Sequence, residues 1–260
     1  MKLLDGRVPA YWWTIAPNFG DLIAPWLIRH LSGKDVVYSP LGEPGYFTIG
    51  SVLGEVRSQS VVWGTGSFGT ERAKDIKANS TGAEFLAVRG PLTRNKIRLA
   101  GLECPAIYGD PALLVPDFHP RKEQPESFEL GIVIRWSDKA WKKVKIPGVR
   151  FIDLETEDVD GTLDQFLSCK RILTSSLHGL IIADAYSIPS AWLASRSPKG
   201  LEFKFWDYFA SVDKIRHAHS LKLQSGAWTL DRLINEISYD DREIKLDLQP
   251  LRACCPFSRG

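Results

Sequence analysis

Short apolar, β-branched runs alternate with helical patterns along almost the whole of this 260-residue chain, and that rhythm constrains its fold more than any other feature. Residues 8–15 read as a strand. Residues 21–31 follow as a helix, with Leu22, Ile23, Trp26, Leu27 and Leu31 at helical spacing and Gly33 past its end. Strands are predicted at 36–38, 60–63 and 85–88. The last opens into a helix over 91–100, which begins with Pro91 and has Gly101 beyond it. A short strand at 106–108 enters a turn at Gly109-Asp110-Pro111. The stretch 117–127 (DFHPRKEQPES) holds two prolines and almost nothing apolar, and reads as a linker between lobes 1–118 and 127–260. Beyond it the rhythm resumes: strands at 130–135, 150–154, 171–174 and 190–193, with helices at 137–142, 158–169 and 178–186. Further helices are predicted at 202–209 and 229–237, ahead of a tail without clear period. Such alternation predicts an α/β protein with parallel sheets and crossover helices.

With 44% hydrophobic and 25% charged residues the chain is neither disordered nor collagen-like. Thirty-three basic against 31 acidic residues leave a net charge of +2, which does not suggest a nucleic-acid partner. Cys104, Cys169, Cys254 and Cys255 have neither C-x-x-C spacing nor a histidine pair nearby, so no zinc site or disulfide framework is expected, and a reducing cytosol suits them. The opening MKLLDGRVPAYWW has too short an apolar run for a signal peptide. The apolar-rich stretch 179–194 is broken by Asp184 and Pro189 and is too short to span a bilayer. A cytoplasmic protein is expected, with peripheral contact at the inner membrane face left open.

In this kind of fold, ligands bind where strands lead into helices at their carboxyl ends. Four such junctions carry unusual polar residues. At Ser175-Ser176-Leu177-His178-Gly179, two hydroxyls and an imidazole stand at a helix amino end, where free N–H groups favour an anion. His178 there suits phosphate binding or acid–base work, or else Ser175 or Ser176 caps the helix and His178 packs beside it. Arg89 closes a strand and suits a bidentate anion contact. Arg94, Lys96 and Arg98 follow it, and a solvated basic face explains them equally. Asn18 and Asp21 flank Gly20, and Asp110 follows Gly109; capping and turn formation alone account for either pair. Lys139, Lys142, Lys143 and Lys145, with Trp136 and Trp141 beside them, precede the acidic run Asp153, Glu155, Glu157, Asp158 and Asp160. That pattern fits a solvated surface, or docking to an anionic lipid headgroup.

Taken in order, these motifs resemble the polysaccharide pyruvyl transferase family. The resemblance covers residues 12–206. Its parts are Asn18-x-Gly20-Asp21, V-R-G-P-L-T-R from Val88 to Arg94, Y-G-D-P-A-L-L-x-P from Tyr108 to Pro116, and S-S-L-H-G-L-I from Ser175 to Ile181. Phe203-Lys204-Phe205 and Asp207-Tyr208 are similar to the bacterial exopolysaccharide branch that includes the xanthan ketal pyruvate transferase. The resemblance implies two Rossmann-like lobes facing across a cleft, as in GT-B glycosyltransferases. It implies phosphoenolpyruvate as donor, a lipid-linked oligosaccharide or polysaccharide as acceptor, a cyclic pyruvate ketal as product, and neither metal nor cofactor. His178 becomes the candidate acid/base, with Asp21 and Asp110 as partners. Arg89 becomes the donor clamp, and Asn18, Ser175, Ser176, Gly179, Arg135 and Arg94 complete the expected substrate contacts. One position departs from the family: many members carry arginine where this chain has Ser176, so a donor arginine must come from Arg89 or Arg135. The rival readings are a glycosyltransferase using a nucleotide sugar and a glycan-binding relative without turnover.

Overall fold

A computed structural model describes residues 1–122, 127–135, 138–194, 202–221 and 226–257, with backbone only at 139 and 140. The β-branched runs form two parallel sheets. The first has the order β2-β1-β3-β4-β5, from β1 (Val8–Tyr11), β2 (Val36–Tyr38), β3 (Gly45–Phe47), β4 (Ser60–Trp63) and β5 (Glu84–Ala87). The second has the order β7-β6-β8-β9, from β6 (Leu130–Ile134), β7 (Val149–Asp153), β8 (Ile172–Thr174) and β9 (Ser190–Trp192). Every pairing within them is parallel. Parallel strands need crossovers, and helices α1 (Phe19–Ser32), α2 (Ala73–Ser80), α4 (Val159–Leu167) and α5 (Leu177–Ala185) supply them.

Both sheets are covered on both faces, which explains their continuous apolar strands. Val8, Ala10 and Trp63 join Phe19, Ile23 and Leu27 of α1, Phe166 of α4 and Leu180 of α5 in one apolar cluster shared by the two sheets. A second cluster lies under Phe47, Val62 and Phe85, and a third under Leu130, Ile132 and Leu173. Helix α3 (Pro91–Leu99) packs on α6 (Phe203–Ser211), so an element late in the sequence braces the first half.

The structure departs from the sequence reading where local pattern is weakest. β3 is three residues long, and α2 buries only Ile76 and Ser80, so neither carries a detectable period. Residues 106–108 make a single bridge, Val88 to Tyr108, rather than a strand. The helix expected at 137–142 is a 3₁₀ segment, Lys139–Lys143. Trp141 is buried in the third cluster, and Lys142 is paired with Asp153 at 2.7 Å and with Glu155. The expected lipid-docking surface therefore loses both groups to the protein itself, and Trp136 lies outside the described residues. No helix among the described residues is long and apolar enough to cross a membrane. After α7 (Leu230–Asn235), the tail returns to the first sheet through α8 (Gln249–Ala253). There Trp63 Nε1 donates to the Leu251 carbonyl at 2.9 Å, and the Phe257 ring packs against Tyr46 and Trp63.

Candidate functional site

The carboxyl ends of strands from both sheets converge on a cavity of about 280 Å³. The loop after β1 brings Trp13 and Asn18, and the first turn of α1 brings Asp21; the segment after β3 brings Gly50, Ser51 and Val52. Arg135 enters from the end of β6. Ser176, Leu177 and His178 come from the β8–α5 junction, and Lys204 from the first turn of α6. Of the four junctions expected to carry the site, two, Asn18–Asp21 and Ser176–His178, line this cavity, as ligand sites at strand carboxyl ends do.

His178 lies in the first turn of α5, its side chain 13% exposed. The ring can sit there only because residue 20 is glycine: a Cβ at Gly20 would stand 2.2 Å from His178 Nδ1. The other nitrogen, Nε2, faces Asp110 Oδ2 across 3.8 Å, and neither atom has a hydrogen-bond partner among the described residues. Asp110 is fully buried and accepts from the Ala112 N–H at 3.0 Å. Burial pushes its pKa up to about 6, against the pull of that N–H and of Arg89. Burial pushes His178 down to about 3, helped by the positive charges of Lys204 and Arg89. Without a ligand the imidazole is therefore neutral at pH 7. Asp21 accepts from Asn18 Nδ2 at 2.5 Å, and burial raises it to about 6 despite that bond and the nearby Lys204.

Lys204 is the group that sequence reasoning did not single out as a site residue. Its ammonium lies 5.6 Å from the Phe68 ring centre and 5.4 Å from that of Phe205. Burial, then Arg135 and Arg89, lower its pKa to about 7, while Asp21 and Asp138 oppose the fall. A signal did exist in the sequence: a lysine between two phenylalanines on a helix has apolar neighbours and little to pair with.

Arg89 does not line the cavity. Its guanidinium is buried and committed to the protein: Nε donates to Asp207 Oδ2 at 3.0 Å, Nη2 to the Ser67 carbonyl at 2.8 Å and Nη1 to Ser51 Oγ at 2.8 Å. A Cβ at Gly66 would fall 2.1 Å from its Cζ, so that glycine admits the fork. Asp207 also accepts from the Thr93 N–H at 2.8 Å and the Thr93 hydroxyl at 2.6 Å, holding α6 on the amino end of α3. Arg94 is elsewhere too, its Nε donating to the Cys104 carbonyl at 3.0 Å. Ser176 caps α5 by accepting from the Gly179 N–H at 3.5 Å. Ser175 is fully buried and donates to Asp138 Oδ2 at 2.8 Å. No group of three or more His, Cys, Asp or Glu among the described residues could hold a metal ion.

A neutral histidine backed by a carboxylate, two near-neutral acids and a cationic wall of Arg135 and Lys204 form a site able to hold an anion and move protons. The family model of polysaccharide pyruvyl transferase matches residues 42–197. The chain belongs to the polysaccharide pyruvyl transferase family. The match takes in Arg89, Asp110, Arg135 and His178, and stops short of Asp21 on one side and Lys204 on the other. The family is one of pyruvyl transferases acting on a polysaccharide acceptor. An uncharacterized protein of Acanthamoeba polyphaga mimivirus is 32% identical over 176 residues, which are 64% of this chain. The chain spans 60% of that relative's length. No solved structure matches the chain.

Proposed function

We propose that this pyruvyl transferase takes its pyruvyl group from phosphoenolpyruvate. In this reading it closes a cyclic ketal on two hydroxyls of one sugar in a lipid-linked oligosaccharide or polysaccharide of a bacterial exopolysaccharide or cell-surface glycan. One observation carries the reading: a cationic wall of Arg135, Lys204 and the α5 amino end lies in the same cavity as Asp21 and His178. Phosphoenolpyruvate brings a carboxylate and a phosphate, which need cations and free N–H groups. The two Rossmann-like lobes, 1–118 and 127–260, would meet around it in a GT-B-like manner.

The chemistry then follows from charge. Anionic donor beside His178 offsets both the burial that chiefly holds its pKa down and the repulsion by Lys204 and Arg89, and ionised Asp110 stabilises the imidazolium from behind. The histidine takes up a proton as the donor arrives and delivers it to the methylene carbon, which becomes the methyl group. Asp21, with a pKa near neutrality, removes the proton of the first sugar hydroxyl as its oxygen bonds to the central carbon of the donor. The second hydroxyl displaces phosphate from that carbon and passes its proton to the departing phosphate, closing the ring and releasing inorganic phosphate. Arg89 acts at one remove, fixing Ser51 in the cavity wall.

The test is incubation with phosphoenolpyruvate and extracted lipid-linked oligosaccharide, following phosphate release and the acceptor's mass. Stoichiometric phosphate and an acceptor heavier by one pyruvate-derived ketal are expected. Transfer from a nucleotide sugar with no use of phosphoenolpyruvate would replace this reading.

A further inference from the structure

Asp138 stands between two groups that shape the cavity. Its side chain is 13% exposed, and its two oxygens serve different partners. Ser175 Oγ donates to Oδ2 at 2.8 Å, while Arg135 Nη2 lies 3.4 Å from Oδ1. The backbone fixes the carboxylate from both sides, since the Asp138 N–H donates to the Arg135 carbonyl and the Asp138 carbonyl accepts from the Trp141 N–H, each at 2.9 Å. β6 and β8 are hydrogen-bonded neighbours, so the turn after β6 and the loop after β8 lie side by side, and Asp138 ties them together. Arg135 Nε has no partner among the described residues, so this guanidinium, unlike that of Arg89, is not fully committed there.

We propose that Asp138 is a positioning residue, anchoring the Arg135 guanidinium to the β8–α5 loop so that this cation and the α5 amino end meet an incoming oxyanion as one unit. A charged pair is needed for this because Arg135 and Lys204 repel each other inside the same cavity. The groups around the Lys204 ammonium are Arg135, Arg89, Asp21 and Asp138, with the Phe68 and Phe205 rings. Asp138 and Asp21 favour its charged form, and the two arginines oppose it. Asp138→Asn keeps the shape and an acceptor for Ser175 but removes the charge. Arg135 is then held less firmly, and Lys204 loses its proton at lower pH.

The inference extends the pyruvyl-transfer reading to the placement of its donor, but its test does not depend on turnover. Lys204 is titrated in the full chain by its rate of acetylation against pH, read by peptide mass spectrometry, with and without inorganic phosphate. Asp138→Asn is expected to lower the Lys204 midpoint and to raise the phosphate concentration giving half-protection about tenfold. Ser175→Ala, which keeps the charge, should leave the midpoint in place and move half-protection less. A purely structural role would reduce the folded fraction without moving either quantity. An unshifted midpoint with unchanged protection in Asp138→Asn overturns the proposal, as does a wild-type protein that phosphate does not protect. Protection by phosphate with no phosphate released from phosphoenolpyruvate would instead sink the pyruvyl-transfer reading and leave Asp138 its role.

Discussion

Replacing Lys204 with methionine should make the protein more stable and its donor site worse. The ordinary lysine pKa is 10.5 and that of Lys204 is about 7, because the ammonium is buried beside two arginines. Below pH 7 both the folded and the unfolded chain hold the proton, and folding then bears the whole difference. At about 1.4 kcal/mol per pH unit, that difference is about 5 kcal/mol. The penalty shrinks as pH rises from 7 and vanishes above the unfolded value, where neither state is charged. Methionine has similar length and no charge, so it lifts the penalty; water reaching the cavity trims the gain to about 2 kcal/mol or more. Against a typical total of about 5–15 kcal/mol, that is easily read by urea unfolding. The gain should be present at pH 6 and absent near pH 10. Donor binding should move the other way: two unit charges 4 Å apart at an effective dielectric of 20 interact by about 4 kcal/mol, so a loss of at least about a hundredfold in affinity for phosphoenolpyruvate is expected. Calorimetric titration measures it. A variant no more stable than wild type at pH 6, or one with unchanged donor affinity, would refute the account of Lys204 as a strained cation held for an anion.

The pH profile of kcat/KM should be bell-shaped, rising near pH 6 as Asp21 ionises and falling near pH 7 as Lys204 loses its proton; Asp21→Asn should flatten the acid limb. Arg89→Lys forfeits the bonds to Ser51 and Ser67, and at about 1.5–3 kcal/mol for a charged hydrogen bond it should lower urea stability by about 3 kcal/mol or more. Its KM for phosphoenolpyruvate should change little once the folded fraction is accounted for, and a KM rise without a stability loss would return Arg89 to the donor. His178→Gln should lower kcat by about 10²–10⁴-fold with the melting temperature nearly unchanged. Gly20→Ala puts a methyl group 2.2 Å from the present position of the imidazole, so it should cut kcat far more than it cuts the yield of folded protein, measured by circular dichroism alongside turnover.

What could be read in the sequence, and what could not, divides along the range of the forces involved. β2 and β4 lie where predicted, and α1 and α3 lie within two residues of their expected bounds, because each carries its own period, proline or glycine signal. The convergence of Asn18, Asp21, Arg135 and His178 was accessible too, since each follows the carboxyl end of a parallel strand, β1, β6 or β8, and ligand sites form at such ends. Arg89 was placed at the right junction, but its environment was hidden. Its partner Asp207 is 118 residues away, and no local pattern says that a carboxylate on α6 will reach back to α3 and occupy the guanidinium. Lys204 escaped notice as a site residue for a related reason: its flanking phenylalanines signal apolar neighbours, but that it has no close counter-ion among the described residues shows only in the folded chain. The tail has no period because its anchors, Leu251 and Phe257, are single contacts with a sheet formed near the start of the chain.

The electrostatic state of the cavity is one of suspended ionisation. His178 is held neutral, Lys204 is held near its midpoint, and Asp21 and Asp110 are held well above the usual carboxylate range, in every case chiefly by burial. Of the six buried side-chain atoms without a protein partner among the described residues, three belong to Asp110, Arg135 and His178, so the unmet bonding concentrates here rather than being spread through the core. A folded protein that kept these groups for stability alone would pair them, as it pairs Arg89 with Asp207 and Lys214 with Asp184. An entering dianion changes the sign of the dominant local field. In the proposed reading it favours the charged forms of His178 and Lys204, and their positive charges keep Asp21 and Asp110 ionised, so protons are taken up at the moment of binding. The same entry satisfies the free donors of Arg135. The proposed reading thus expects selectivity for a ligand that is both small and strongly negative, since a neutral sugar alone would leave these groups without a counter-charge.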